Sequence, residues 1–200
     1  MEENGAVFTA ECAEMNELGA GIVRHEDLVV FVPGLVPGDR AEITVESVQK
    51  NYAIGNCLNL ICRSPYRIDP HCPEETRCGG CTLGHVTYEL ENEIKRNTVR
   101  AAFRRTGLKG IEPEPALFGP DRYGYRNKIS LRFDPVENRF GYCREGSEEV
   151  LPFSGCPLCP KVFSDVTLYL NDRPELTAPL RPSSLRIRKD ADGLIASLTV

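Results

Sequence analysis

The residues whose types and spacing point most directly to chemistry in this 200-residue chain are its nine cysteines. Three of them form the run Cys72-Pro-Glu-Glu-Thr-Arg-Cys78-Gly-Gly-Cys81, a C-x5-C-x2-C cluster in a stretch with no periodic pattern of its own. Gly79 and Gly80 carry no Cβ, so the backbone between the last two sulfurs can wrap tightly around a centre. A fourth ligand has to come from elsewhere. Cys156, followed by Pro157, is the best placed, because a Cys-Pro pair in a loop closes many iron-sulfur sites from a distance. Cys159, three residues on, is the substitute. Structural zinc prefers paired C-x2-C knuckles, which Cys78/Cys81 and Cys156/Cys159 supply while leaving Cys72 over. A 4Fe-4S cluster takes one thiolate per iron from a wider set of directions and uses the triplet with one remote cysteine. Spacing favours the cluster and leaves zinc open. Cys12, Cys57 and Cys143 lie within or beside expected strands and read as small buried hydrophobes.

The compartment decides how such thiols behave. The opening Met1-Glu2-Glu3-Asn4-Gly5 lacks the basic start and apolar core of a signal peptide, and no apolar run approaches the ~20 residues needed to cross a bilayer. Neither export nor membrane insertion is expected, and a reducing cytoplasm is the expected location. There, an odd number of cysteines points to metal or cluster ligation in preference to disulfides. With 41% apolar residues the chain has enough hydrophobic material for real cores, which excludes disorder as its main state. A net charge of −5 excludes a polybasic nucleic-acid binder as a whole, but the charge is unevenly spread. Residues 1–62 carry three basic against ten acidic side chains, whereas 82–132 carry ten basic against six acidic. A polyanion prefers the second stretch.

The elements that must position these residues read as mainly β with some α. Five short strands before residue 62, at Val7 to Ala10, Gly21 to Val23, Leu28 to Val32, Ala41 to Val48 and Ala53 to Leu60, suggest a small barrel of the oligonucleotide-binding (OB) shape. From about Val86 to Thr106 the chain holds no Gly or Pro until Gly107, and a helix is expected. Arg96, Arg100 and Arg104 then line up on one side as a basic stripe, roughly opposite Leu90 and Ile94; a solvated helix face is the commoner origin of such a stripe. Strands are expected again at Asn127 to Phe133, Phe140 to Arg144, Glu149 to Phe153, Leu185 to Arg188 and Leu194 to Val200, with a helix at Lys161 to Leu170. Three segments follow: 1–63 as the barrel, 64–110 as cysteine loop and basic helix, and 111–200 as an antiparallel β domain, incomplete because the chain stops within an apparent strand.

In order along the chain, Gly19-Ala-Gly-Ile-Val, Val30-Phe-Val-Pro-Gly34, Pro37-Gly-Asp39, Ser64-Pro-Tyr-Arg67, the Cys72/Cys78/Cys81 triplet, the helix after Tyr88, Tyr125-Arg-Asn-Lys128 and Cys156-Pro157 form a combination. That combination resembles the S-adenosylmethionine-dependent RNA uracil-5-methyltransferases, in particular the iron-sulfur branch acting on 23S ribosomal RNA. The resemblance implies that residues 1–63 form a TRAM domain and that Cys72, Cys78, Cys81 and Cys156 hold the 4Fe-4S cluster. It also implies that Tyr125, Arg126, Asn127 and Lys128 open a central β domain contacting substrate RNA. Arg126 and Lys128 suit phosphates, while Tyr125 and Asn127 suit unpaired bases. Read without the resemblance, Arg126 and Lys128 are the solvated face of an alternating strand.

In that family a doubly wound α/β domain binds S-adenosylmethionine and supplies the cysteine that attacks uracil C6 and the base that removes the C5 proton. No glycine-rich strand-to-helix turn for the cofactor is visible in this sequence, so the α/β methyltransferase domain is expected to be absent, no catalytic residue is assigned, and the chain alone is expected to be inactive. Its helix, which in the family packs partly on the catalytic domain, is expected to have an uncovered apolar side. The function expected is the RNA-recognition and cluster-bearing part of a 23S rRNA uracil-C5 methyltransferase, with ribosomal RNA as partner and no obligate protein partner evident. The alternatives are a stand-alone, non-catalytic RNA-binding module with a structural zinc or iron-sulfur site, and an electron-transfer protein.

Overall fold

The computed structural model describes residues 5–115 and 121–200, with the side chains of Glu75 and Thr76 outside that description. The opening Met1 to Asn4, on which the expectation against export rests, therefore lies outside the described residues, as do 116–120 of the expected third segment. Two compact units are interleaved along the chain: one comprises 5–69 and 82–115, the other 70–81 and 121–200. The segment 64–110 is thus shared between them, the triplet cysteines going with the second unit and the long helix with the first.

The first unit is built on a six-stranded sheet of β1 (Val7–Glu11), β2 (Glu14–Met15), β3 (Ala20–His25), β4 (Leu28–Pro33), β5 (Arg40–Val48) and β6 (Tyr52–Cys62), in the order β1-β5-β6-β4-β3-β2. The short β2 is a strand more than the five expected. Alternation sets the inner face: Val23, Val30, Val32, Ala41, Ile43, Val45 and Ala53 are buried together with Phe8 and Leu35. Three irregularities in the β5–β6 register increase local twist, which lets the eleven-residue β6 pair with β5 on one side and run parallel to β4 on the other.

The helix α2 (Tyr88–Arg105) begins at Thr87, whose hydroxyl accepts from Leu90 N, and ends before Gly107, at φ +84°. Leu90 and Ile94 are buried with Met15, Val36, Leu83 and Val86. The apolar side of the helix therefore does have a partner over its first two turns, supplied by the barrel and the loop before it, and the expectation of an uncovered face is corrected there. Val99, further along, is exposed. Thr87→Ala removes a side-chain cap and is expected to cost about 1 kcal/mol, measurable as a lower urea midpoint in far-ultraviolet circular dichroism with an unchanged slope.

A buried ion pair ties the barrel to the chain beyond it. The Asp39 carboxylate is fully buried and accepts from Val36 N at 2.7 Å, Ser64 N at 2.8 Å and the Arg67 guanidinium. Arg67 also donates to Gly34 O at 2.7 Å, and Ser64 Oγ to Pro37 O at 2.5 Å. Burial alone would raise the Asp39 pKa. The Arg67 hydrogen bonds and the two backbone N–H groups outweigh it and hold the carboxyl below its ordinary value.

The second unit carries the one-turn helix α1 (Glu75–Cys78), strands β7 (Lys128–Asp134), β8 (Arg139–Gly141), β9 (Ser184–Lys189) and β10 (Leu194–Thr199), and helix α3 (Lys161–Asn171). The sheet is antiparallel in the order β10-β9-β7-β8. Ile129, Leu131, Leu185 and Ile187 face the core with Phe140 and with Phe163 of α3. The strand expected at Glu149 to Phe153 reduces to a single bridge, Cys143 to Val150, because Pro152 has no N–H to continue a ladder. Among the described residues no helix is long and apolar enough to cross a membrane.

Candidate functional site

Within the second unit, Cys72, Cys78, Cys81 and Cys156 line one cavity of about 180 Å³, together with Cys143, Arg126 and Tyr142. Each is positioned by a local device. Cys78 closes α1, and the chain then turns through Gly79 at φ +65°, where any Cβ would stand 2.7 Å from the side chain of Glu145. Only glycine allows the loop to lie this close to the turn at Glu145, whose backbone N–H donates to Arg77 O at 2.9 Å. Cys156 sits in a turn immediately before α3, with Cys159 N donating to Cys156 O at 3.1 Å and the Ser164 hydroxyl accepting from Cys156 N at 3.3 Å.

The electrostatics single out Cys156. A hydrogen bond from the Cys159 thiol, opposed by burial and assisted by the Leu158 backbone, the Tyr142 hydroxyl and the Arg126 guanidinium, brings its thiol down to about 6. The shift is toward the thiolate, the form that ligates metal. Its neighbours move the other way: the Cys159 thiol is pushed up by its hydrogen bond to Cys156 and by burial, and burial pushes the Tyr142 phenol up as well. Burial also raises Cys78. None of the nine cysteines is in a disulfide.

Among the described residues no three Cys, His, Asp or Glu side chains stand close enough together to hold a single metal ion. The thiols surround a space and do not converge on a point. Cys159, the substitute fourth ligand, is 5% exposed, packs in the core with Phe163 and does not line this cavity. Cys143, expected to be a buried hydrophobe, is a fifth thiol on the wall. Tyr142 on that wall was not legible as a site residue, since nothing in its spacing connects it to the cysteines. Cys57 and Cys62 are exposed, which corrects the expectation that Cys57 is buried, whereas Cys12 is buried with its thiol raised to about 11 by desolvation.

The residues expected to meet RNA separate into two groups. Tyr125, Asn127 and Lys128 are exposed, whereas Arg126 turns to the cysteine cavity, its backbone N–H donating to Leu158 O at 2.8 Å. On α2, Arg96 donates to Pro113 O at 2.9 Å and Arg100 pairs with Glu112 at 2.5 Å, while Arg104 lies exposed in the last turn. A signal that sequence reading missed lies in the sheet register. Lys128 is opposite Arg188 and Ser130 opposite Arg186, with Arg132 opposite Ser184, on the solvent face of β7 and β9.

The comparisons with known proteins bear on the whole chain. The TRAM domain family matches residues 2–58. An uncharacterized RNA methyltransferase from Synechocystis is 34% identical over 98% of this chain and 46% of its own length. A 23S rRNA (uracil(1939)-C(5))-methyltransferase from Photorhabdus laumondii is 28% identical over 90% of this chain and 39% of its own. The chain belongs to the RNA uracil-C5-methyltransferase family. It spans less than half the length of these relatives.

A solved member, the Pyrococcus abyssi tRNA (uracil-54, C5)-methyltransferase in complex with S-adenosyl-L-homocysteine, has the same fold over 95% of this chain and 45% of that one, with a TM-score of 0.68 at 23% identity. This overturns the expectation that methyltransferase fold is absent. Nearly the whole described path, barrel and antiparallel sheet included, follows that of a uracil-C5 methyltransferase. The expectation rested on local signals, a glycine-rich turn and a Pro-rich catalytic loop, whereas fold is carried by the order and pairing of all the elements.

Proposed function

We propose that this chain recognises 23S ribosomal RNA and carries a 4Fe-4S cluster within an S-adenosylmethionine-dependent uracil-C5 methyltransferase. The observation that carries the RNA reading is the solvent face of the second sheet. Lys128 and Arg188 stand directly across from one another, flanked by Arg132 and Arg186, all exposed, with Ser130 and Ser197 opposite Arg186 on either side. Like charges in directly opposed positions destabilise a sheet. A polyanion laid across the face removes that penalty, with Arg and Lys taking phosphates and serine hydroxyls reaching sugar or phosphate oxygens. Arg132 pairs with an exposed counter-ion, Glu148, at 2.9 Å. Tyr125 and Asn127 immediately precede β7 and suit an unpaired base. Arg104 on α2 is a further cation for phosphate.

The cluster reading rests on the donor set. The C-x5-C-x2-C triplet and the remote Cys156 line one cavity, and a space ringed by thiols suits a polynuclear centre with one thiolate per iron better than one ion. When bound, such a centre supplies four sulfur bonds that fasten the loop 70–81 to the turn before α3. The residues of the chain supply the rest: Gly79 permits the approach, the Cys156 thiol is shifted toward the thiolate, and Arg126 contributes positive charge at the wall.

The RNA reading is tested by measuring binding of a 23S rRNA fragment containing the target uridine over a salt series. Lys128→Gln and Arg188→Gln are each expected to weaken binding and to lower the salt slope by about 1, with folding unchanged. Unaltered affinity and slope in the double variant would reject this face as the RNA surface.

A further inference from the structure

Tyr142 follows β8 and is held on both sides: its carbonyl accepts from Leu151 N at 2.8 Å, and its ring lies 6.0 Å from that of Phe153. The ring lines the cysteine cavity, and its hydroxyl is buried with no hydrogen-bond partner among the described residues. Leaving a buried phenol in that state carries its full desolvation cost, so a tyrosine here in place of phenylalanine needs a reason. The neighbours of the hydroxyl are the sulfurs of Cys156 and Cys159. A neutral thiol is a weak acceptor. A thiolate sulfur bound to iron keeps lone pairs and negative charge, and accepts far better.

We propose that Tyr142 is a positioning residue that donates a hydrogen bond from its hydroxyl to the Cys156 sulfur of the bound centre, setting the centre's reduction potential and its hold on iron. This rests on the cluster reading above. Hydrogen bonds to ligand sulfur stabilise the more negative, reduced form, so the donor raises the potential. Arg126, on the same wall, acts in the same direction through its charge. Groups that orient and polarise a metal ligand in this way typically change metal affinity 10- to 100-fold when removed.

The test uses the full chain reconstituted anaerobically with iron and sulfide. Tyr142→Phe deletes one oxygen and keeps the ring, so its metal-free form is expected to melt no lower than the wild type. The loaded variant is expected to show a more negative midpoint potential in an equilibrium redox titration and to lose iron to a chelator about tenfold faster. Arg126→Gln is expected to shift the potential in the same direction, and Arg126→Lys to restore most of it. A Tyr142→Phe protein with full iron and sulfide, and with wild-type potential and release rate, overturns the role of Tyr142 and leaves the cluster reading standing. A less stable metal-free variant with an unmoved potential also overturns it, assigning the ring to packing. A wild-type chain that takes up no iron and sulfide overturns both readings.

Discussion

Changing any one of Cys72, Cys78, Cys81 or Cys156 to serine is expected to abolish most of the iron and sulfide uptake of the chain. The wild type, reconstituted anaerobically, should hold about four of each. All four thiols line one cavity, and a serine hydroxyl is a harder and far weaker ligand for iron than a thiolate. The effect should be largest at Cys156, the one of the four that connects the turn before α3 to the loop carrying the triplet. Cys143→Ser discriminates between being on the wall and being a ligand: it should keep its iron. Exposed Cys62→Ser is the control for general thiol chemistry. Because ligand bonds are folding free energy for a loop with almost no core of its own, metal loading should also protect residues 70–81 from proteolysis in the wild type and not in the four variants. A colourless wild type containing one zinc per chain would reject the cluster.

The second large effect belongs to the barrel unit. Asp39→Ala leaves the Arg67 guanidinium, only 17% exposed in its side chain, without its counter-charge, and strands the N–H groups of Val36 and Ser64. The expected loss is about 3–5 kcal/mol, a large part of the stability of a domain of this size. Arg63 and Asp69 form the opposite case, an ion pair at 2.8 Å with side chains 58% and 87% exposed, so Asp69→Ala should leave the urea midpoint almost unchanged. Urea denaturation of the three proteins measures both. The pH dependence follows from the direction of the shift. The folded-state pKa of Asp39 lies below its unfolded value, so its contribution is complete above about pH 4 and is lost as the pH falls through the folded value. Asp39→Asn should flatten that acid limb. An acid limb identical to the wild type would show that other carboxylates govern it.

Much of the element order was legible because it depends on local signals. The helix expected from Val86 to Thr106 is found at Tyr88–Arg105, bounded by a threonine cap and a glycine, and the strand expected at Asn127 to Phe133 is Lys128–Asp134. Period-two alternation and turn residues mark such elements without reference to the rest of the molecule. Where pairing partners decide, the reading weakened. The two-residue β2 exists through its pairing with β3, and Glu149 to Phe153 has strand composition yet forms one bridge.

The same division runs through the site. The chain by itself determined that three thiols stand close together on a glycine-rich loop and that a cysteine-proline pair follows at a distance, because spacing and residue type are properties of the sequence. Tertiary structure alone decided that Cys143, Arg126 and Tyr142 share a wall with those thiols, that Cys159 turns into the core, and that Lys128 stands opposite Arg188. The physical reason is that a side chain's neighbours across a sheet or a cavity are set by register and packing between segments far apart in sequence. A single strand's alternation states which face a residue occupies and says nothing of what it meets there.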